Sequence, residues 1–318
     1  MSKKLTQREM NPFKYSDTNK RYHTYDYYLR QKYNSKVCKI TLDAGFTCPN
    51  IDGTKGVGGC IYCSARGSGD FAGPAELSIR EQYDLVVEAQ RKKWPSAKCI
   101  AYFQAHTNTY APVSVLKEKF EEALKLPDVV GLNIATRADC ISDECAAYLH
   151  ELAQRCDLCV ELGLQSTNDE TARVINRCHS YDEFKRGFEK LKGISTCIHI
   201  INGLPGEDHD MMMQTVSDVA ELHPNVLKIH LMHVLKDTRL GDMYEGGQYV
   251  PMELEDYVST VCDQLEILPA DIVIGRITGD GAPDQLLAPM WSKKKFVVMN
   301  EIDKEMVKRG TWQGFLCK

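Results

Sequence analysis

The 318-residue sequence has no apolar run approaching the roughly 18 to 20 residues that cross a bilayer. Its first six residues, MSKKLT, lead into no apolar signal core, so we expect a cytoplasmic protein that makes no membrane contact. The sequence also lacks internal repeats and low-complexity segments, and its 43% hydrophobic and 26% charged residues are typical of globular proteins. Disordered, collagen-like and coiled-coil architectures are therefore excluded as the main fold.

The net charge of −5 is small, but it is unevenly distributed along the chain. Residues 1–39 carry ten Lys or Arg against three Asp or Glu, which gives +7, and residues 292–318 carry seven against three, which gives +4. The middle of the chain therefore carries −16. Basic charge is interleaved near the N-terminus with aromatic residues that could stack on bases: Phe13, Tyr15, Tyr22, Tyr25, Tyr27, Tyr28 and Tyr33. We interpret both ends as nucleic-acid-binding segments.

The tyrosines also allow a structural interpretation. Four apolar or aromatic residues recur at helical spacing within residues 20–34, namely Tyr22, Tyr25, Leu29 and Tyr33. Such a stripe is typical of a helix that docks on the core of its own domain. Both interpretations of the tyrosines stay open at the level of sequence.

From Val37 onward, short apolar segments alternate with longer amphipathic ones, which predicts repeated βα units around a parallel sheet. The predicted strands are 37–43, 98–104, 129–135, 157–164, 196–202, 226–232 and 271–277. The predicted helices are 78–94, 113–126, 142–154, 168–192, 208–222 and 252–268, and a further one covers about 301–309. We predict an α/β fold, a partial or full TIM-like (β/α) barrel over residues 37–291 with basic extensions at 1–36 and 292–318. The chemistry should lie at the carboxyl ends of the strands.

Thirteen cysteines without a secretion signal favour metal ligation over disulfides. Three of them, Cys48, Cys60 and Cys63, lie in the one long loop, residues 44–74, which is also rich in glycine. The C-x-x-C spacing of Cys60 and Cys63 can turn both thiolates to one side, and the glycines let the backbone bend around a metal. A second C-x-x-C, Cys156 to Cys159, runs into a predicted strand, and we expect it to pack in the core.

Three thiolates suit an iron–sulfur cluster that keeps one iron open to a non-protein ligand. The alternative is a structural zinc site, which prefers four protein ligands and would need Cys38 or a histidine to complete it. No second close pair of cysteines is present in the loop, so the cysteine pattern favours the cluster.

A three-cysteine cluster on the first loop of a βα barrel, with Tyr62 just before the last cysteine, resembles the radical S-adenosylmethionine (SAM) superfamily over roughly residues 37–291. Three further segments resemble elongator-catalytic-subunit-like and coproporphyrinogen-dehydrogenase-like members: ELGLQS at 161–166, VINRCH at 174–179 and IHIINGLPGE at 198–207. CPN at 48–50, QAHTNT at 104–109 and APMW at 288–291 resemble a compact bacterial elongator-like subfamily linked to wobble-uridine modification of tRNA.

The resemblance implies a cofactor pair and the residues that bind it. Cys48, Cys60 and Cys63 would hold three irons of a 4Fe-4S cluster, and SAM would chelate the fourth and yield a 5'-deoxyadenosyl radical. Gln165 would contact the SAM ribose, and Arg177 would pair with the SAM carboxylate. Further SAM contacts are expected from Tyr62, Gln104, His199, Gly203 and His230.

The same resemblance implies a substrate. Members of the subfamily are associated with conversion of 5-carboxymethylaminomethyl-uridine to 5-aminomethyl-uridine at the tRNA wobble position, with an electron donor such as flavodoxin or ferredoxin. We nominate Arg137 to bind the carboxylate of the uridine side arm and His106 as a second catalytic candidate. Two alternatives stay open: the same chemistry on a small molecule or peptide, and a non-catalytic, zinc-stabilised RNA-binding protein.

Overall fold

The computed structural model describes residues 11–67, 69, 72–279, 281 and 284–317; the first ten residues of the predicted N-terminal extension lie outside this description. The strands are β1 Val37–Leu42, β2 Lys98–Phe103, β3 Val129–Thr136, β4 Asp157–Gln165, β5 Ser195–Asn202, β6 Val226–Leu231, β7 Val234–Leu235, β8 Val273–Arg276 and β9 Leu286–Ala288. The helices are α1 Tyr25–Tyr33, α2 Ile79–Lys93, α3 Val113–Leu124, α4 Asp143–Ala153, α5 Asp169–Val174, α6 Tyr181–Glu189, α7 His209–Leu222, α8 Arg239–Glu245, α9 Leu254–Ile267 and α10 Lys295–Arg309. Short 3-10 helices cover Ala138–Cys140 and Met290–Lys293.

Within the described residues, seven strands form one sheet in the order β1-β2-β3-β4-β5-β6-β8, and β7 pairs with β9 in an antiparallel ribbon. The pairs β1–β2, β2–β3, β3–β4 and β6–β8 are parallel. All seven predicted strands of the parallel sheet are present, which confirms the α/β class and the order of the βα units. The chain divides into two compact units.

The first unit, called here the cysteine-loop unit, comprises Lys32–Leu164 and Ala172–Cys197. Strands β1 to β4 form its centre, and their fully buried side chains include Ile40, Phe103, Leu132 and Val160. Its helices begin at side-chain caps: Ser78 forms a capping box with Glu81, Ser142 accepts from the Cys145 amide, and Ser180 forms a capping box with Glu183. These caps satisfy amides that have no partner within the helix, so they fix where each helix starts.

The second unit, called here the terminal unit, comprises the described parts of Met1–Gln31, Gln165–Thr171 and Ile198–Lys318. The N-terminal segment lies beside β8, where the Ile274 amide donates to His23 O at 2.7 Å. Gln313 joins the two ends of the chain. Its side-chain Oε1 accepts a hydrogen bond from the backbone N–H of His23, and its backbone N–H donates to Arg21 O. Phe13, Tyr22 and Leu29 are buried, so part of the N-terminal aromatic stripe packs in this core, as a docking helix requires.

One helix prediction is wrong. Residues 168–192 form two helices, α5 and α6, because Asn176 and Cys178 adopt the left-handed conformation with φ of 55° and 61°. An α-helix cannot continue through such residues, and Ser180 then caps a new helix. The break places residues 175–179 in a turn. Among the described helices, none is both long enough and apolar enough to cross a membrane.

Candidate functional site

The three predicted cluster cysteines lie in the loop that follows β1, in the cysteine-loop unit. The loop folds back on itself, because Pro49 O accepts from the Lys55 amide at 2.7 Å and Asn50 O accepts from the Gly59 amide at 2.8 Å. Gly58 and Gly59 have φ of 77° and 68°, a region that favours glycine. Two of the glycines predicted to let the loop bend therefore adopt the left-handed conformation just before Cys60.

The three thiols have different neighbours. Cys48 Sγ lies 2.9 Å from the Thr107 hydroxyl and 4.0 Å from His106 Nδ1, and burial raises its pKa. Cys60 Sγ accepts a hydrogen bond from Asn50 at 3.3 Å. A hydrogen bond from Cys63 lowers the pKa of Cys60 to about 6, against the effect of burial and with help from the Arg137 charge. Cys60 is therefore prepared to act as a thiolate ligand at neutral pH.

The turn at residues 175–179 holds the second half of the cysteine loop. Asn176 Nδ2 donates to Val57 O at 3.0 Å and to Gly59 O at 2.7 Å, and the Ile61 amide donates to Ile175 O at 3.1 Å. Gly56 packs so closely on this turn that a Cβ there would lie 2.7 Å from Cys178 Sγ. The turn therefore holds the chain on both sides of Cys60, at Val57 and Gly59 before it and at Ile61 after it.

A buried ion network lies next to the loop. Arg137 donates to both carboxylate oxygens of Asp139 at 3.0 Å, and Lys55, which belongs to the loop itself, lies 2.6 Å from Asp139 Oδ2. Burial would raise the pKa of Asp139, but the hydrogen bond from Arg137 and the nearby positive charges lower it to about 2. His179 Nδ1 lies 3.0 Å from Arg137, and burial together with the Arg177 charge lowers its pKa to about 3.

The two arginines singled out by the sequence are both engaged within the protein. Asp139 occupies the bidentate face of Arg137, which also donates to Arg177 O at 2.7 Å. Arg177 is only 1% exposed, and its guanidinium donates to Leu164 O and twice to His179 O. Their predicted roles, Arg137 toward the substrate carboxylate and Arg177 toward the SAM carboxylate, stay predictions.

Three further candidates lie in the same unit. Gln104 follows β2 directly, and its amide donates to Leu42 O at 3.2 Å. His106 is half-buried with φ of 56°, and burial lowers its pKa, so its ring is neutral at pH 7. Tyr62 lies between Cys60 and Cys63, and burial raises its pKa well above the ordinary value. The structure therefore brings His106 to one of the three thiols.

The remaining predicted SAM contacts lie in the terminal unit. Gln165 ends β4 with φ of 61°. Gly203 adopts φ of 82°. Its backbone N–H donates a hydrogen bond to Met212 Sδ, and its carbonyl oxygen accepts one from the Tyr249 hydroxyl. The rings of His199 and His230 lie 5.2 Å apart.

His230 carries an orphaned polar atom. Its Nε2 is buried and has no hydrogen-bond partner among the described residues. Burial and then the His199 charge hold the pKa of His230 well below the ordinary value, so the ring is neutral. A buried nitrogen without a partner is unfavourable unless a ligand supplies one.

Comparison with known proteins decides the family. Residues 53–219, which contain Cys60, Cys63 and the 175–179 turn, match the radical SAM superfamily, and residues 224–308 match the Radical_SAM C-terminal domain. The chain belongs to the radical SAM superfamily. It is also 51% identical over 306 residues to the uncharacterized protein YtqA of Bacillus subtilis (strain 168), covering 96% of this chain and 95% of that protein.

Two more distant similarities bear on fold and function. The archaeal Elp3 of Methanocaldococcus infernus, solved with an N-terminal deletion, superposes with a TM-score of 0.64 at 19% identity, over 88% of this chain and 64% of that chain. This match confirms the predicted α/β partial barrel of the radical SAM type. The tRNA uridine(34) acetyltransferase of Methanocaldococcus jannaschii is 29% identical over 171 residues, which cover 50% of this chain and 31% of that protein.

As a radical SAM enzyme, the protein uses a 4Fe-4S cluster and SAM. The residues present fit both groups. Cys48, Cys60 and Cys63 would hold the cluster, because they lie in one loop and form no disulfide. A hydroxyl lies beside the Cys48 thiol, and an amide donor and the Arg137 charge act on Cys60. The orphaned Nε2 of His230 fits a ligand such as SAM, for which this histidine was predicted. The cluster and SAM together supply the one-electron chemistry that generates an organic radical.

Sequence reasoning missed the side chains that support the loop, namely Asn50, Lys55, Thr107, Asp139, Asn176 and His179. Four of them lie inside the CPN, QAHTNT and VINRCH segments that carry the family resemblance. Asn50 and Asn176 could have been noticed in the sequence, because each lies two residues from a cysteine. An asparagine side chain has two N–H donors, and asparagine tolerates the left-handed backbone conformation.

Proposed function

We propose that the protein is a radical SAM enzyme that modifies tRNA, and that it converts 5-carboxymethylaminomethyl-uridine to 5-aminomethyl-uridine at the wobble position. The similarity to a tRNA uridine(34) acetyltransferase over half of the chain supports a tRNA substrate. The conversion itself rests on the resemblance of the CPN, QAHTNT and APMW segments to the bacterial elongator-like subfamily.

The structural observation that carries the tRNA proposal is the meeting of the two basic ends in the terminal unit. Arg21 Nη1 donates to Thr311 O at 3.1 Å, although the two residues are 290 positions apart. Lys20 forms an ion pair with Asp303 of α10. Contacts between the N-terminal segment and the C-terminal tail thus gather positive charge from both into one region, as a polyanionic substrate requires.

Part of this charge is available for phosphate. Lys293 and Lys294 are exposed, and neither forms an ion pair with any residue that the structure describes. Phe296, two residues further along, is 77% exposed, so its ring is accessible to a base. Lysines beside an exposed ring combine phosphate contacts with base stacking, the pattern by which single-stranded RNA is bound.

The residues of the cysteine-loop unit have separate tasks in this proposal. Cys48, Cys60 and Cys63 hold the cluster, and the Lys55–Asp139–Arg137 network keeps the loop in place. Neutral His106, close to Cys48, can accept a proton from the reacting group and becomes an imidazolium when it does.

The test is anaerobic incubation of reconstituted protein with SAM, a reductant and tRNA that carries 5-carboxymethylaminomethyl-uridine, followed by nucleoside mass spectrometry and quantitation of 5'-deoxyadenosine. We expect loss of the carboxymethyl mass from the uridine. The Cys60→Ala variant is the matched control and should yield neither product. Deoxyadenosine without a change in the tRNA would contradict the tRNA proposal and favour a small molecule or peptide.

A further inference from the structure

Asn50 is a buried residue of the cysteine loop whose side chain contacts a predicted cluster ligand. It is only 2% exposed, and its side-chain nitrogen contacts two acceptors: Cys60 Sγ at 3.3 Å and Asn176 O at 3.1 Å. Because a backbone carbonyl only accepts hydrogen bonds, the contact to Asn176 O fixes which end of the amide carries the hydrogens. The second hydrogen is thereby directed at the sulfur of a cluster ligand.

We propose that Asn50 is a positioning residue that donates a hydrogen bond to the Cys60 thiolate and thereby raises the reduction potential of the cluster. A hydrogen bond to a ligand sulfur stabilises the reduced cluster more than the oxidised one, because the reduced cluster carries one more electron. This inference concerns the cofactor alone and does not depend on which substrate the enzyme uses.

Different asparagines donate to the cluster ligand and hold the loop in its fold. Support comes from Asn176, whose two hydrogens go to Val57 O and Gly59 O and none to sulfur. Asn50 is also joined to the loop through its backbone, where its carbonyl accepts from the Gly59 amide. Removing the Asn50 side-chain donor loses its one contact to Asn176 O but keeps both side-chain contacts of Asn176 and the backbone contact of Asn50. Removing the Asn176 side chain instead loosens the loop and keeps the donor to sulfur.

A second neutral donor acts on another ligand. Thr107 is fully buried, and its hydroxyl lies 2.9 Å from Cys48 Sγ. Thr107→Val removes this hydroxyl at nearly constant volume and introduces no charge. If donors to sulfur set the potential, this variant shifts the potential in the same direction as a change at Asn50.

The experiment is an EPR-monitored redox titration with dithionite on reconstituted wild-type protein and three variants, compared at equal iron and sulfide content. Asn50→Leu keeps the size and branching of the side chain but removes the donor without adding charge, and we expect its midpoint potential to be more negative than that of wild type. Thr107→Val should shift in the same direction. The matched control is Asn176→Gly, which keeps the left-handed backbone and should lower cluster content without shifting the potential of the loaded fraction.

An unchanged potential in Asn50→Leu at full loading would overturn the proposal, and so would an equal shift in Asn176→Gly, because the loop order would then be the cause. If Asn50→Leu binds too little iron to titrate, wild-type protein with 15N-labelled asparagine gives the answer by pulsed EPR. Coupling of the reduced cluster to one asparagine side-chain nitrogen supports the hydrogen bond, and its absence contradicts it.

Discussion

The cysteine-loop unit and the terminal unit use charge in opposite ways. In the first, Lys55, Arg137 and Asp139 are paired around a loop of thiols, and the Asp139 side chain is only 2% exposed. In the second, Lys293 and Lys294 are exposed without an ion partner among the described residues. Paired, buried charge fixes a geometry, whereas unpaired, exposed charge is available to a mobile polyanion. The comparison supports our proposal that the cysteine-loop unit holds the cluster and that the exposed lysines of the terminal unit bind the substrate.

The largest expected effect is at Cys60. Cys60→Ser should abolish cluster binding and all turnover, because a three-cysteine site has no spare ligand. Iron and sulfide analysis after anaerobic reconstitution measures this directly. Phe296→Ala, in the terminal unit, should keep the full iron content, and a loss of iron there would contradict the division of tasks between the units.

The next effect concerns pH and His179. Its pKa is about 3 in the folded protein against an ordinary 6.5, so the unfolded chain takes up a proton that the folded chain does not. The contribution of His179 to stability is fully present above about pH 6.5 and is lost as the pH falls toward 3, by on the order of 4 kcal/mol. His179→Asn keeps an acceptor for Arg137 but cannot titrate. The free energy of unfolding, measured in urea between pH 6.5 and 4, should depend less on pH for this variant than for wild type. An equal pH dependence in the two proteins would contradict the lowered pKa of His179.

Asp139→Asn should destabilise the folded protein by about 3 kcal/mol, because it leaves Arg137 buried without its counter-ion. The free energy of unfolding from urea titration at pH 7 measures the loss. The exposed pair of Arg80 and Asp84 provides the control, since Asp84→Asn removes only a surface partner and should leave the free energy of unfolding nearly unchanged. Similar losses at both positions would remove the contrast between buried and exposed charge.

The smallest effects belong to the terminal unit. The double variant Lys293→Gln and Lys294→Gln loses two phosphate contacts. The slope of log K for tRNA binding against log salt concentration should therefore fall by roughly one to two, the number of counterions no longer released. Phe296→Ala should weaken binding by about 1 to 3 kcal/mol through loss of one stacked base. Val307→Ala, which changes an exposed side chain on the same helix, is the control and should bind normally. Wild-type affinity in both lysine and Phe296 variants would contradict the proposed RNA surface.

The sequence predicted the parts of the molecule that follow from local patterns. All seven strands of the parallel sheet and the helix starts after Ser142 and Asp208 are present in the structure. Of the cysteine pair expected to pack in the core, Cys159 is buried in β4, whereas Cys156 precedes the strand and is only half-buried. The helix over residues 168–192 was wrong, because its break depends on two left-handed residues that the periodicity does not reveal.

The spacing within one loop singled out Cys48, Cys60 and Cys63, and the position after a strand singled out His106. The structure places His106 Nδ1 4.0 Å from Cys48 Sγ, and the roles of all four residues stay predictions. Lys55 and Asp139 were not singled out, because a contact between residues 84 positions apart depends on how the loop folds back against the end of β3. Tertiary folding likewise surrounds Arg177 with backbone carbonyls, which no local pattern shows.

The central claim is that the cysteine loop holds a cluster with one iron open to SAM. The most direct measurement is the EPR spectrum of the reduced, reconstituted protein before and after addition of SAM. We expect a brown protein with a 4Fe-4S signal that changes when SAM binds. A signal that SAM leaves unchanged would contradict an open iron, and a colourless protein with stoichiometric zinc would contradict the cluster itself.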